Sequence, residues 1–459
     1  MTRNRAIALV ALGLLALGAC ATNPTTGERG FTGFMSPEQE ARIGRGEHPK
    51  ILLEFGGAYR DPALRDYVAR IGQRLAAVSE MPDLGFTFTV LNSDIVNAFA
   101  LPGGYVYVTT GLLALAGSEA ELAGVLGHEI GHITARHSAQ RYSRAVLAPL
   151  GTGLVGAATG SQGLAQGVLA GYSREQESEA DILGTRYLAR AGYDTGAMAG
   201  FLAKMEGYSV FTDALAGRSD GDRYSLFATH PRTAARVEDA IRVARIDYPP
   251  PADPGIGVED YLRRIDGLYY GGDPANGFVR DRQFVHPGLG FRFVVPRGFQ
   301  VFNGSTAVTA IGSDGARIVF DLAPQAGDWS AADYIVRVWA PGLRFQRFDT
   351  FTVDGLPAAT GTARIDSGRG PLDMRLVAVK AGRDKTYRFL FVSPPGATAA
   401  LDPGFRGTVA SFREMTETEA TRAEPFRVRV RAVRPGETAQ GLAAGMPFDS
   451  YRVERFLVL

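Results

Sequence analysis

The sequence predicts an α+β chain: a mainly helical N-terminal half carrying a small sheet, then a β-rich α+β half and a short tail. Three observations predict it. Apolar residues recur at helical spacing over Ser118 to His137 and Ser173 to Arg190. Apolar alternation marks strands at Phe86 to Leu91 and Tyr105 to Thr109, and repeatedly between Phe291 and Val392. Four prolines between Tyr248 and Pro254 separate the two regimes. At roughly 150 residues per domain, 459 residues leave room for about three folded units.

Lys plus Arg (49) nearly cancels Asp plus Glu (48), charged residues are 21% and hydrophobic ones 45%. That balance excludes a disordered polyelectrolyte and a nucleic-acid binder with a broad basic face. A single cysteine excludes an internal disulfide, a Cys-rich zinc module and an iron–sulfur cluster. A metal site must therefore be built from carboxylates and the six histidines.

In chain order, residues 1–20 read as a leader. Arg3 and Arg5 precede the uncharged run Ala6 to Leu17, and small residues lead to Cys20. That run is shorter than the roughly 20 residues a membrane span needs. Leu17-Gly18-Ala19-Cys20 resembles a bacterial lipobox, which implies lipidation of Cys20, removal of what precedes it, and anchoring to a membrane, with Ala21 permitting transfer to the outer one. Residues 21–34 read as a polar tether, and 35–248 as the first folded domain. In it, Ile51 to Glu80 is a helical scaffold, and the two strands form a hairpin or small sheet around the turn Pro102-Gly103-Gly104. The uncharged, glycine-rich stretch Ala145 to Ser173 is long enough for a membrane span, but its glycine content and low apolar density disfavour one.

Residues 249–285 read as a linker and 286–415 as an accessory α+β domain, with strands at Phe291 to Val295, Ala307 to Ile311, Arg317 to Leu322, Ala359 to Ile365, Met374 to Val379 and Tyr387 to Val392. Helical stretches fall near Ala331 to Val338 and Arg406 to Arg413. Gly290 to Phe299 resembles the opening strand of PsbP/Mog-like domains. The tail, 426–459, opens with alternating Phe426 to Val433 and resembles the first part of a LysM module, which implies contact with peptidoglycan.

The chemistry centres on His128-Glu129-Ile130-Gly131-His132. Ser118 and Glu121 form a capping box, and Leu122, Val125, Leu126, Ile130 and Ile133 follow at helical spacing, so the motif lies on a helix. His128 and His132 are then one turn apart on one face, a spacing that grips one Zn²⁺ and holds Glu129 beside it. A third ligand must come from elsewhere. The helix from Ser173 offers Glu175, Glu177, Glu179 and Asp181. Glu177 and Asp181 share a face, so Glu177 can ligate while Asp181 orients a ligand histidine, and the other two carboxylates face solvent. His137 reads as a last-turn cation at the helix's negative end; His48 and His286 need no special role.

These residues, with Asn97 to Gly104, Tyr172 to Asp181 and Thr229-His230-Pro231 with Arg236, resemble the gluzincin zinc metalloproteases of metallopeptidase family forty-eight, the group of BepA-, HtpX- and Oma-like proteases and CAAX prenyl protease relatives. The resemblance spans about Phe34 to Tyr248. It implies a zincin fold, His128, His132 and Glu177 as zinc ligands, Glu129 as catalytic base and Asp181 as the partner of a ligand histidine. It further implies that His230 serves as a fourth ligand that latches the site, and that Arg236 supports the oxyanion.

The expected activity is zinc-dependent endoproteolysis: Zn²⁺ polarises the carbonyl and acidifies water, and Glu129 carries the proton. The expected setting is the bacterial envelope, on the periplasmic face of the outer membrane, with unfolded or misassembled envelope proteins as substrates. The competing reading is a lipoprotein acting mainly as a chaperone or scaffold, its protease site latched.

Overall fold

A computed structural model describes residues 20–22, 29–31, 35–147, 171–215, 230, 234–304, 306–312, 315–323, 327–367, 370–448 and 451–459. The expected leader, apart from the Cys20 backbone, and nearly all of the glycine-rich stretch lie outside these residues. Inside the expected tether, Cys20–Thr22 (β1) and Arg29–Phe31 (β2) pair antiparallel. Among the described residues no helix is long and apolar enough to cross a membrane.

The helical scaffold begins earlier than its apolar pattern and is two helices. Pro37–Glu54 (α1) starts at a reciprocal cap between Ser36 and Gln39, and Pro62–Ala76 (α2) starts at Asp61, whose carboxylate accepts from Ala63 and Leu64. Between them Gly56 and Gly57 take φ of +75° and +91°, a conformation that ends the first helix and only glycine adopts freely. On α2, Leu64, Tyr67, Val68, Ile71 and Leu75 are buried.

Thr87–Leu91 (β3), Ala98–Leu101 (β4) and Tyr105–Thr109 (β5) form one sheet in the order β3-β5-β4. Of the expected hairpin or small sheet it is the small sheet that forms: β3 and β5 are paired but run parallel, and the antiparallel partner of β5 is β4. All four residues of β4 are buried. A strand covered on both faces shows no apolar–polar alternation, which is why the pattern did not reveal it.

Thr110–Leu115 (α3) leads to Glu119–Thr134 (α4), capped by Ser118 Oγ on the Glu121 amide. The reciprocal half of the expected capping box is absent, because the Glu121 carboxylate accepts instead from the Gly117 amide and Lys204. Leu122, Leu126 and Ile130 of α4 are fully buried, each worth about 1.5–3 kcal/mol. Arg136, at φ +62°, turns the chain into a separate helix, His137–Leu147 (α5). Arg174–Arg190 (α6) starts at a Ser173/Gln176 capping box and ends before Gly192 at φ +78°; Gly196–Leu215 (α7) and Ala234–Arg242 (α8) follow.

The expected linker 249–285 is folded. Val258–Ile265 (α9) buries Tyr261 and Ile265 in the N-terminal core, and the Tyr261 hydroxyl donates to the Leu113 carbonyl. Tyr269–Tyr270 (β6) packs against the same core, whereas Phe278–Arg280 (β7) and Gln283–His286 (β8) continue into Phe291–Val294 (β9) as one antiparallel run and place Phe284 in the C-terminal core.

The C-terminal half is built on a seven-stranded antiparallel sheet. Its strands are Gln300–Asn303 (β10), Ala307–Ile311 (β11), Arg317–Leu322 (β12), Arg347–Val353 (β13), Leu356–Asp366 (β14), Pro371–Ala381 (β15) and Lys385–Ser393 (β16), ordered β10-β11-β12-β16-β15-β14-β13. Pro395–Ala410 (α10) packs on β15 and β16. The core is aromatic: Phe320 lies 4.7 Å from both Phe293 and Phe389, centroid to centroid.

The tail differs from its expectation. Only Phe426–Arg427 is a strand, paired with β6. Val428 still exchanges backbone hydrogen bonds with Gly267 and Leu268, but beyond it the chain leaves its partner and Val433 is 64% exposed. Ala439–Ala444 (α11) and Arg452–Val458 (α12) follow. The Arg455 guanidinium lies over Phe448 and over Phe211 of α7, tying the tail to the N-terminal half.

Candidate metal centre and active site

Helices α4 and α6 meet along a seam of small residues. A Cβ on Gly184 would stand 2.9 Å from the His128 amide nitrogen, and one on Gly131 would stand 3.1 Å from the Ala180 carbonyl oxygen. A side chain at Gly184 would force the helices apart and one at Gly131 would crowd them, so glycine lets the backbones close up and the carboxylates of α6 reach the imidazoles of α4.

His128 and His132 bring their Nε2 atoms to 3.0 Å of each other. Glu177 Oε1 lies 3.4 Å from His132 Nε2, and its Oε2 lies 3.7 Å from His128 Nε2. His230 Nδ1 completes the group, 3.2 Å from His128 Nε2 and 2.9 Å from Glu177 Oε1. All four residues are buried, and one donor atom from each falls within 4.8 Å of the others. Four atoms about 2.0–2.1 Å from one tetrahedral ion are about 3.3 Å apart, close to the spacing found. Burial keeps His128 below its ordinary pKa and His132 and His230 well below theirs. Neutral imidazole lone pairs and a carboxylate converging in this way repel one another unless a cation lies among them, so the donor set fits a metal that takes nitrogen and oxygen ligands.

Around the donors stands a second ring of contacts. His128 Nδ1 stands 2.9 Å from Asp181 Oδ1. Arg236 spans both carboxylates of α6, with Nε and Nη2 at 2.7 and 2.8 Å from Asp181 and Nη1 at 2.6 Å from Glu177. Burial opposes ionisation of Asp181, yet Arg236 and His128 hold its carboxyl at about 2. Glu177 is pushed up to about 7 by burial, against the pull of His128 and Arg236. Arg236, expected to support the oxyanion, is thus held by one contact from each of its three guanidinium nitrogens to Asp181 and Glu177.

Glu129 is buried beside the donors. Its Oε1 lies 3.3 Å from His230 Nε2, and burial pushes its carboxyl up to about 8. Such a group can take and return a proton near neutral pH. Val125, Met198, Phe201, Leu202 and Met205 line an apolar recess of about 40 Å³ against His128 and Glu129.

Two sequence readings are corrected here. His137 is no last-turn cation: it opens α5, is buried, and places Nδ1 3.0 Å from His132 Nδ1. Glu179 turns inward and lies 3.2 Å from His137 Nε2. Sequence reasoning also missed Tyr172, whose ring stacks on His132 at 3.7 Å and 10°, and Arg141, whose guanidinium lies 4.0 Å over Tyr172 and donates to the Ala100 carbonyl of β4. No spacing in the sequence marks Arg141; Tyr172 sat inside a quoted motif without a role. His48, bonded to the Tyr107 hydroxyl at 2.8 Å, and His286 stand apart from the cluster.

Residues 62–243 match the family profile described as Peptidase family M48. The beta-barrel assembly-enhancing protease of Yersinia pestis is 34% identical over 233 residues, 46% of this chain and 45% of that protein. The mitochondrial metalloendopeptidase OMA1 of Schizosaccharomyces pombe is 33% identical over 225 residues, 47% of this chain and 63% of that protein. The chain thus spans less than half the length of the bacterial relatives it matches. Among solved structures, the Ran-binding protein Mog1p of Saccharomyces cerevisiae aligns at 14% identity over 30% of this chain and 97% of its own, with a TM-score of 0.25, a likeness too slight to carry an argument.

Proposed function

Because residues 62–243 match the profile of peptidase family M48, we propose that this chain is a zinc endopeptidase of the zincin type, working in the bacterial cell envelope on misfolded or misassembled proteins. The observation that carries the reading is Glu129, buried with a raised pKa and standing next to four converging metal donors on a helix whose neighbour supplies the carboxylate. His128, His132 and Glu177 hold the metal, with His230 as a fourth donor. Bound there, zinc supplies a Lewis acid that polarises a peptide carbonyl and acidifies water. Glu129 takes the proton and returns it to the departing amine. Asp181 and Arg236 keep His128 and Glu177 aimed. The β4 edge, which no strand of the described sheet covers, takes the substrate backbone by strand addition once the substrate displaces the Arg141 bond to the Ala100 carbonyl, and the apolar recess takes a side chain beside the scissile bond. Lipid on Cys20 holds the protein at the periplasmic face of the outer membrane.

Zinc content and cleavage of casein or a misfolded client, compared between the wild type and Glu129→Gln, test the reading. Retained zinc with cleavage lost in the variant is expected; two proteins equally inactive on every client, both holding zinc, would overturn it. A second reading, a chaperone or scaffold whose protease is latched, is favoured by one observation: His230 reaches the donors and Glu129 at once. On that reading His230→Ala raises proteolysis, and unchanged or lower activity with zinc intact counts against it.

A further inference from the structure

The donor His132 does not stand alone on its far side. Its Nε2 points into the metal cluster, 3.0 Å from His128 Nε2, while its Nδ1 lies 3.0 Å from His137 Nδ1, and His137 Nε2 lies 3.2 Å from Glu179 Oε2. The chemistry of these atoms admits one direction of bonding. A metal needs the His132 Nε2 lone pair, which leaves its hydrogen on Nδ1. His137 Nδ1 must then accept it, so the hydrogen of His137 sits on Nε2, facing the carboxylate of Glu179. Glu179 can only accept when ionised, so it fixes the tautomer of His137, and His137 fixes that of His132.

The fold builds this deliberately. Arg136 takes φ +62°, which breaks the helix after α4 and swings His137 back under His132 instead of letting it run on around the helix surface. Tyr172 holds the His132 ring from its face, stacked at 3.7 Å, so the ring is fixed in plane by the relay and out of plane by the stack.

We propose that His137 and Glu179 form a positioning relay for the metal donor His132, setting its tautomer and raising its affinity for the ion. This rests on the metal-site reading above. The test is zinc affinity of the full chain, by competition with a chelator, together with thermal unfolding of each apoprotein. His137→Leu is expected to weaken zinc binding by about 10- to 100-fold, the usual cost of losing such a partner. His137→Asn, whose side-chain oxygen can accept in place of Nδ1, should recover most of it. Since His137 is buried and its leucine variant can fail to fold, Glu179→Leu, at a partly open position, provides the second arm and should weaken binding in the same direction.

Folded His137→Leu and Glu179→Leu proteins that bind zinc as tightly as the wild type would overturn the relay, as would an asparagine variant no better than the leucine one. A wild-type chain that binds no zinc would instead overturn the metal site itself.

Discussion

His128 Nδ1 stands 2.9 Å from Asp181 Oδ1, and the same carboxylate is forked by Arg236 at 2.7 and 2.8 Å. One buried arginine therefore sets the aspartate that sets a donor histidine, and its remaining nitrogen holds Glu177 as well. Arg236→Ala removes the guanidinium that both buried carboxylates share, a change expected to cost about 3–5 kcal/mol. Arg236→Lys keeps the charge but cannot span both carboxylates, so it should recover part of the stability and little of the metal retention. Thermal unfolding and metal content check both; a lysine variant equal to the wild type in each would show that the fork is dispensable.

The α4–α6 seam gives a prediction of opposite sign to helix propensity. Replacing a mid-helix glycine by alanine ordinarily stabilises by roughly 1 kcal/mol. At Gly184 the added methyl would meet the His128 amide at 2.9 Å and Met198 Cε at 2.8 Å. Met198 can yield, but the backbone of a donor residue cannot without moving the donor. Gly184→Ala is therefore expected to lower both melting temperature and zinc affinity. A higher melting temperature with unchanged affinity would mean that the helices tolerate wider spacing.

The donors on α4 were legible because helix geometry turns a sequence spacing into a shared face, and the capping residue at Ser118 fixed where that helix begins. Glu177 and Asp181 were legible for the same reason. His137 was misread because periodicity cannot show a chain reversal at Arg136, a non-glycine residue at positive φ. The nearness of Arg236 to the site came only from the family resemblance, since its partners lie 55 and more residues away and are met through folding alone. In the C-terminal half β11 and β12 were plain from alternation, whereas β13 was missed: its residues are mostly exposed, so no apolar face is written into them.

The recess beside Glu129 predicts a preference for an apolar side chain next to the bond that is cut. Leu202 is the lining residue to truncate, because it is only partly buried while Met198, Phe201 and Met205 belong to the core. Leu202→Ala should shift cleavage in a peptide pool towards bulkier apolar residues, by about tenfold or more, the scale of one or two methylenes in such a pocket. Mass spectrometry of the products reads this directly, and an unchanged cleavage profile would remove the recess from substrate choice.

Stability should respond to pH at a position away from the metal. Asp94 lines a cavity of about 620 Å³ between the two halves, and burial pushes its carboxyl up from 3.8 to about 6. A carboxyl whose folded pKa exceeds its unfolded one binds more protons in the native state, so the contribution of Asp94 is present below about pH 4 and is lost as pH rises through about 6. Asparagine keeps the shape and cannot ionise. The gain in melting temperature of Asp94→Asn over the wild type should therefore be smallest near pH 4 and grow to a plateau above pH 6 or so. A constant difference across that range would mean that Asp94 titrates in the folded protein as it does in the unfolded chain.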